Sequence, residues 1–187
     1  DRIDGWMGLG LTYANQGNFS EAVAALKHAE RLDPTDAAPP FYLGEVLAQE
    51  DKLQDAIAAY HLAARLSANP ARALNEAGQL EMQQDNEAAA AVDFRASIAA
   101  DPDFTPPLDN LSSIELESTS PAATQQAIAD CAAALTIDPQ DVTANNNMGI
   151  ALARQQKISQ AIEYFRAALR ADPNSQAARE NLLRLGG

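Results

Sequence analysis

Apolar residues return along the chain at helical spacing. In the first stretch Trp6, Leu9, Gly10 and Tyr13 fall on one side of a helix, and in the second Ala22, Leu26 and Ala29 do the same. The pattern then repeats: Gly10, Gly44 and Gly78 lie 34 residues apart, and Gly149 follows 71 later, one period plus a period lengthened by three. Ala22, Ala56, Ala90, Ala127 and Ala161 are spaced 34, 34, 37 and 34. The columns Leu26, Tyr60, Phe94, Cys131, Phe165 and Ala29, Ala63, Ser97, Ala134, Ala168 keep that spacing, and Asp33-Pro34, Asp101-Pro102, Asp138-Pro139 and Asp172-Pro173 close units. Independent columns that share one period and one insertion define a tandem repeat.

The first unit carries Trp6, Leu9, Gly10, Tyr13, Gly17, Phe19, Ala22, Leu26, Ala29 and Pro34. It resembles the tetratricopeptide repeat, and the columns extend that resemblance over essentially the whole chain. The resemblance implies an all-α fold, a right-handed α-solenoid of antiparallel helix pairs, helix A then helix B. It makes residues 1–187 one array with units at about 3–36, 37–70, 71–104, 105–141 and 142–175. Numbering slots from the start of each unit, slots 4, 7, 8 and 11 face the core from helix A and slots 20, 24 and 27 from helix B. Slot 8 is tiny because helix B crosses close to it.

Helix starts are signed by side chains. Asn18 with Glu21, and Asp51 with Gln54, have capping-box spacing at the head of helix B. Asn69-Pro70 and Ser120-Pro121 read as an N-cap followed by proline at the first helical position. At the tail, Leu183 stands where a slot-8 glycine would serve a following helix B. Residues 176–185 are therefore expected to form a solvating cap helix, ended by Gly186-Gly187. The fourth unit departs most: Ser112 in slot 8, Glu115 in slot 11 as Glu81 is in the third, Cys131 in the aromatic slot, and three extra residues placed in the A–B connection around Glu117 to Thr124.

Composition narrows the function. Of 187 residues 47% are hydrophobic but only 5% aromatic, so the core must be built from Ala and Leu. Thirteen bases against 26 acids leave a net charge of −13, which argues against nucleic acid and anionic membrane as non-specific partners. One cysteine excludes an intrachain disulfide and a multi-Cys zinc site. No apolar run reaches the roughly 18 residues of a membrane span, so no insertion by this chain is expected. Asp1 in place of Met suggests a soluble piece of a longer protein, of the repeat type common in bacteria; its compartment is not legible.

Candidate chemistry is sparse. Glu81 and Glu115 could suggest an acid/base pair, but no nucleophile or metal ligand set accompanies them, and wet carboxylates or a pairing with Arg95 is the plainer reading. Gly5, Gly8 and Gly10 imitate a phosphate loop without a preceding strand. His28 and His61 have no second ligand at helical spacing and read as solvated. Cys131 reads as a buried, inert thiol. Asp101-Pro102-Asp103 lacks the remaining positions of a calcium loop. No enzyme activity, metal or cofactor is expected.

The resemblance implies a concave groove lined by slots 2, 5, 6, 9, 12 and 13 of helix A. The polar residues it selects are Tyr42, Glu45, Asn75, Gln79, Gln83, Asn110, Asn146, Asn147, Arg154 and Asn181. Slot 6 holds Asn110, Asn147 and Asn181 in succession. Such amides either pair with the backbone of an extended peptide, resembling the asparagine ladder of the O-GlcNAc transferase repeats, or bond the neighbouring helix. A clamp for a C-terminal carboxylate of the chaperone-binding type is not expected, since Arg72 alone could contribute. Residues 96–153 carry 8 acids and no Lys or Arg, whereas 154–187 carry 3 acids and 6 bases. The negative band would draw a partner segment of net positive charge. The expected function is a non-enzymatic protein–protein interaction module that takes an extended peptide or partner helix in the groove, as a monomer or weak homo-oligomer. The rival is structural self-association through exposed terminal helix faces.

Overall fold

Eleven α-helices make up the computed structural model, which describes residues 2–186. The chain divides into two compact units, Asp1–Pro102 and Asp103–Gly187. The first holds α1 (Ile3–Asn15), α2 (Phe19–Leu32), α3 (Ala38–Gln49), α4 (Leu53–Leu66), α5 (Ala71–Gln83) and α6 (Glu87–Ala100). The second holds α7 (Pro106–Glu117), α8 (Pro121–Ile137), α9 (Val142–Arg154), α10 (Ile158–Ala171) and α11 (Gln176–Arg184). No strand occurs among the described residues.

Four of the five A-to-B turns share one chemistry. Gly17, Asp51, Asp85 and Gln156 take positive φ of 76°, 60°, 57° and 61°. In each turn the next residue donates its backbone N–H five residues back: Asn18 to Tyr13, Lys52 to Leu47, Asn86 to Glu81 and Lys157 to Leu152, at 2.9–3.0 Å. This left-handed helix end satisfies carbonyls that the helix leaves open. It corrects the two capping boxes: Asp51 is the left-handed turn residue, Lys52 the N-cap of α4, and Asn18 caps α2 without a side-chain bond. Ser120 does cap α8, its Oγ accepting from Ala122 and Ala123 N–H at 3.2 and 3.4 Å. The Asn69-Pro70 reading is corrected: α5 starts one residue later, with Pro70 as its N-cap and not its first residue, and Asn69, one position outside, accepts from Ala71 N–H through Oδ1 at 3.1 Å.

The three inserted residues of the fourth repeat lie in the helix, not in the connection. The turn 118–120 is as short as the others, while α8 runs 17 residues where α2, α4, α6 and α10 run 14. Ser118, the C-cap of α7, is extended, with φ −75° and ψ 140°, so the left-handed bond is absent there. Arg154 of α9 replaces it: the guanidinium donates to the carbonyls of Ser118 (2.7 Å) and Leu116.

Close helix crossing explains the small column. A Cβ on Gly44 would stand 2.8 Å from the Tyr60 ring, and one on Gly78 2.7 Å from the Phe94 ring. In the second unit Ser112 meets Cys131, both buried; the shorter partner makes room for the hydroxymethyl group. Burial pushes the Cys131 thiol up to about 12, so it stays protonated and inert. Helices A also touch one another within each unit, α1 with α3, and α7 with α9 and α9 with α11. In the second unit those contacts build the face on which the candidate residues stand; in the first, Arg72 of α5 reaches Glu45 of α3 at 3.2 Å. Ser175 caps α11 through Ala178 N–H at 3.4 Å, and Leu182 and Leu185 close the core around Phe165. Gly186 has φ 76° after the helix; Asp1 and Gly187 lie outside the described residues.

Candidate functional site

In the first unit the selected residues stand on α3 and α5. Tyr42, Glu45 and Gln79 are half-buried and Gln83 is exposed, but Asn75 retains only 2% exposure. An amide that deep is engaged internally and cannot face a ligand. Around Tyr42 the side chains form a built cluster. Arg72 donates to Glu45 Oε1 at 3.2 Å while its guanidinium lies 4.6 Å above the Phe41 ring, which contacts Tyr42 and Tyr60 edge-on. Burial raises the Glu45 carboxyl above its ordinary range, against the lowering charge of Arg72. A cleft of about 350 Å³ opens here, lined by Asp36, Phe41, Tyr42, Asn69, Arg72 and small alanines. That is room for one large side chain, on an aromatic floor with polar groups at the rim.

In the second unit they stand on α7, α9 and α11. Asn110, Asn146 and Asn181 are half-buried and Arg154 is exposed. Asn147 is not on the surface: at 6% exposure its Nδ2 donates to Ser112 Oγ at 2.9 Å and Ser113 Oγ at 3.0 Å. Asn181 Nδ2 donates to Asn146 Oδ1 at 3.0 Å. Both amides thus run from one helix A to the previous one. Asn147, whose two N–H donors are both used, has none left for a peptide carbonyl. The slot-6 column is bonding inside the array at this step. The physical reason is the direct packing of α7 on α9, which covers the slot. A cleft of about 270 Å³ is lined by Ile150, Ala153, Arg154, Phe165, Asn181, Arg184 and Leu185.

Other side chains differ from expectation. Glu81 is buried and accepts from Asn86 Nδ2 at 2.7 Å, tying the helix end to its turn, and Glu115 is buried too, so neither is a wet carboxylate. His61 is not simply solvated but meets Asp93 Oδ2 at 2.8 Å, and His28 stacks on Trp6 with centroids 4.2 Å apart. The His61–Asp93 pair had a signal, since 32 residues is one period less one helical half-turn and puts both on neighbouring helices B. Sequence reasoning also missed Asp109, whose carboxyl is pushed up to about 8 by burial first, then by the charge and hydrogen bond of Asp141 and the charge of Asp138. Among the described residues no cluster of His, Cys, Asp or Glu is arranged to hold a metal, and no helix is long and apolar enough to cross a membrane.

A family model described as tetratricopeptide repeat matches residues 3–36 and 142–175. No curated protein matches the chain. Among solved structures the chain is similar to MamA, at 21% identity over 91% of this chain and 92% of that one, with a TM-score of 0.76. It is similar to YrrB, whose structure is described as a TPR protein with an unusual peptide-binding site, at 16% identity over 94% and 89%, TM-score 0.73. A tetratricopeptide repeat protein from Parabacteroides merdae matches at 17% identity over 98% of this chain and 72% of that one, TM-score 0.79. At such identities the likeness is one of fold.

Proposed function

Because the chain belongs to the tetratricopeptide-repeat family, we propose that it is a protein–protein interaction module whose helix-A faces hold an extended peptide or a partner helix. One observation carries the reading: in each unit a cleft opens against helices A and is lined by groove-slot residues that the core leaves over. Tyr42 lines the cleft of the first unit, and Arg154 and Asn181 that of the second. The clefts combine apolar floors with a few polar groups, the composition that orients a side chain without transforming it. The coarse function, a binding scaffold, agrees with the fold. The finer assignment to these clefts, and the attraction of a basic partner segment by residues 103–153, are this reading's own content. That stretch holds 7 acids and no base; Asp109 keeps its proton near neutral pH and Glu115 and Asp130 are buried, so Asp103, Glu117, Asp138 and Asp141 carry the attraction.

The test is selection of extended twelve-residue peptides from a random display library on the whole chain, followed by titration of enriched sequences against variants. Tyr42→Ala should weaken first-unit binders about tenfold, the scale of an aromatic anchor lost from a pocket. Val92→Asp, on the exposed side of α6, should leave them unchanged. No enrichment, or binders that respond to Val92→Asp and not to any cleft variant, would remove the reading.

A second reading has an observation of its own. Leu183 on α11 is 67% exposed, an apolar side chain on a terminal helix that a second copy could cover. Light scattering across concentrations should then show association that Leu183→Asp abolishes; a constant mass would dismiss it.

A further inference from the structure

The α9–α10–α11 cleft of the second unit carries the charge opposite to that of the chain as a whole. The chain carries −13, yet two guanidiniums, Arg154 and Arg184, and no carboxylate line this cleft of about 270 Å³. Arg154 is pre-set: two of its N–H groups are tied to the carbonyls of Leu116 and Ser118 at the end of α7, which fixes the fork without neutralising its charge. Arg184, in the last turn of α11, has no carboxylate partner among the described residues. Asn181 spends one amide hydrogen on Asn146 and keeps the other. Beneath these donors lie Ile150, Ala153, Phe165 and Leu185, an apolar floor.

Positive, donor-only groups above an apolar floor select a ligand that is an acceptor-rich anion at one point and apolar beside it. We infer that the α9–α10–α11 cleft binds a peptide carboxylate flanked by an apolar side chain, with Arg184 and Arg154 on the carboxylate and Phe165 and Leu185 under the side chain. The inference deepens the peptide-binding reading and rests on it for the partner being a protein. It also gives the partner a polarity, a basic stretch over the acidic residues 103–153 and an acidic, apolar end at the cleft. The carboxylate can come from a chain terminus or from an Asp or Glu side chain.

Small probes test the cleft without needing a groove-spanning peptide. N-acetyl-leucine, N-acetyl-leucinamide and N-acetyl-glutamyl-leucinamide are titrated into the whole chain and followed by NMR at the methyl groups of Leu185 and Ile150 and the ring of Phe165. Binding is expected on the order of millimolar for ligands of this size. The expected result is saturable shifts with at least one carboxylate probe, about tenfold weaker binding of the uncharged N-acetyl-leucinamide, and about tenfold loss with Arg184→Gln at an unchanged thermal midpoint. Preference for N-acetyl-leucine assigns a terminal carboxylate, and preference for the glutamyl probe an internal acid; either supports the cleft. Equal binding of acid and amide, no saturable shifts, or indifference to Arg184→Gln overturns it. Library peptides lost with Tyr42→Ala while the probes fail would overturn this inference and leave the broader binding reading intact.

Discussion

The ring of Phe165 fills the space that a side chain on residue 149 would need: a Cβ on Gly149 would stand 2.5 Å from Cε1 and 2.7 Å from Cδ1. Phe165 is itself buried, so it cannot swing away. Gly149→Ala should therefore destabilise the chain by about 1–3 kcal/mol through overpacking. Gly8 is the control, since a Cβ there would meet nothing within 4 Å. Gly8→Ala should stabilise by about 0.5–1 kcal/mol by relieving the helix of glycine's conformational freedom. Urea unfolding of both variants checks the pair; equal effects would contradict the close-crossing account.

Asp109 makes stability depend on pH in an unusual direction. Its folded pKa, about 8, stands above the unfolded value near 3.9, so between those values the folded chain holds a proton that the unfolded chain has lost. The stabilisation is complete below about pH 4 and is lost as pH rises through about 8. The thermal midpoint should fall between pH 6 and pH 9. Asp109→Asn, which keeps the shape and removes the charge, should flatten that slope. A variant whose midpoint falls as steeply as the wild type would show that other groups are responsible.

Asn147 distinguishes two roles for one residue type. With its amide donating to Ser112 and Ser113 inside the second unit, Asn147→Ala leaves a void and two hydroxyls without their donor. The expected loss is about 1–3 kcal/mol of stability. Thermal unfolding reads it directly; an unchanged midpoint accompanied by loss of a bound peptide would restore Asn147 to the binding face.

His61 gives the buried carboxylate of Asp93 its recorded partner at 2.8 Å. His61→Phe should cost about 1–3 kcal/mol, because Asp93 stays buried and loses that bond. In a double-mutant cycle with Asp93→Ala the second substitution should add less than it costs alone. Strict additivity would deny the coupling.

The fold was readable because its determinants are steric and local. A glycine one period from the next glycine, each facing a bulky residue 16 positions on, as Gly44 faces Tyr60, leaves one way for two helices to cross. Asp51 was misread because Asp suits both an N-cap and a left-handed turn, and only the backbone bond from Lys52 to Leu47 separates them. The inserted residues were misplaced because a helix absorbs three residues, nearly one turn, without disturbing either end. The candidate surface was less legible. An asparagine side chain donates equally well outward or inward, and nothing in the sequence says that α7 lies against α9 over Asn147. The cleft between Arg154 and Arg184 joins residues 30 apart in different helices, and its meaning lies in the absence of any acid among the side chains that line it, although Glu163, Asp172 and Glu180 stand between the two in sequence.

The central claim, that partners are held on the helix-A faces, is tested most directly by mapping a library-selected peptide on the isotope-labelled chain by NMR. The account predicts that perturbed backbone amides cluster on α3 and α5 around Tyr42 and Gln79, or on α9 and α11 around Arg154 and Arg184. Perturbations confined to α2, α4, α6, α8 and α10 would contradict it.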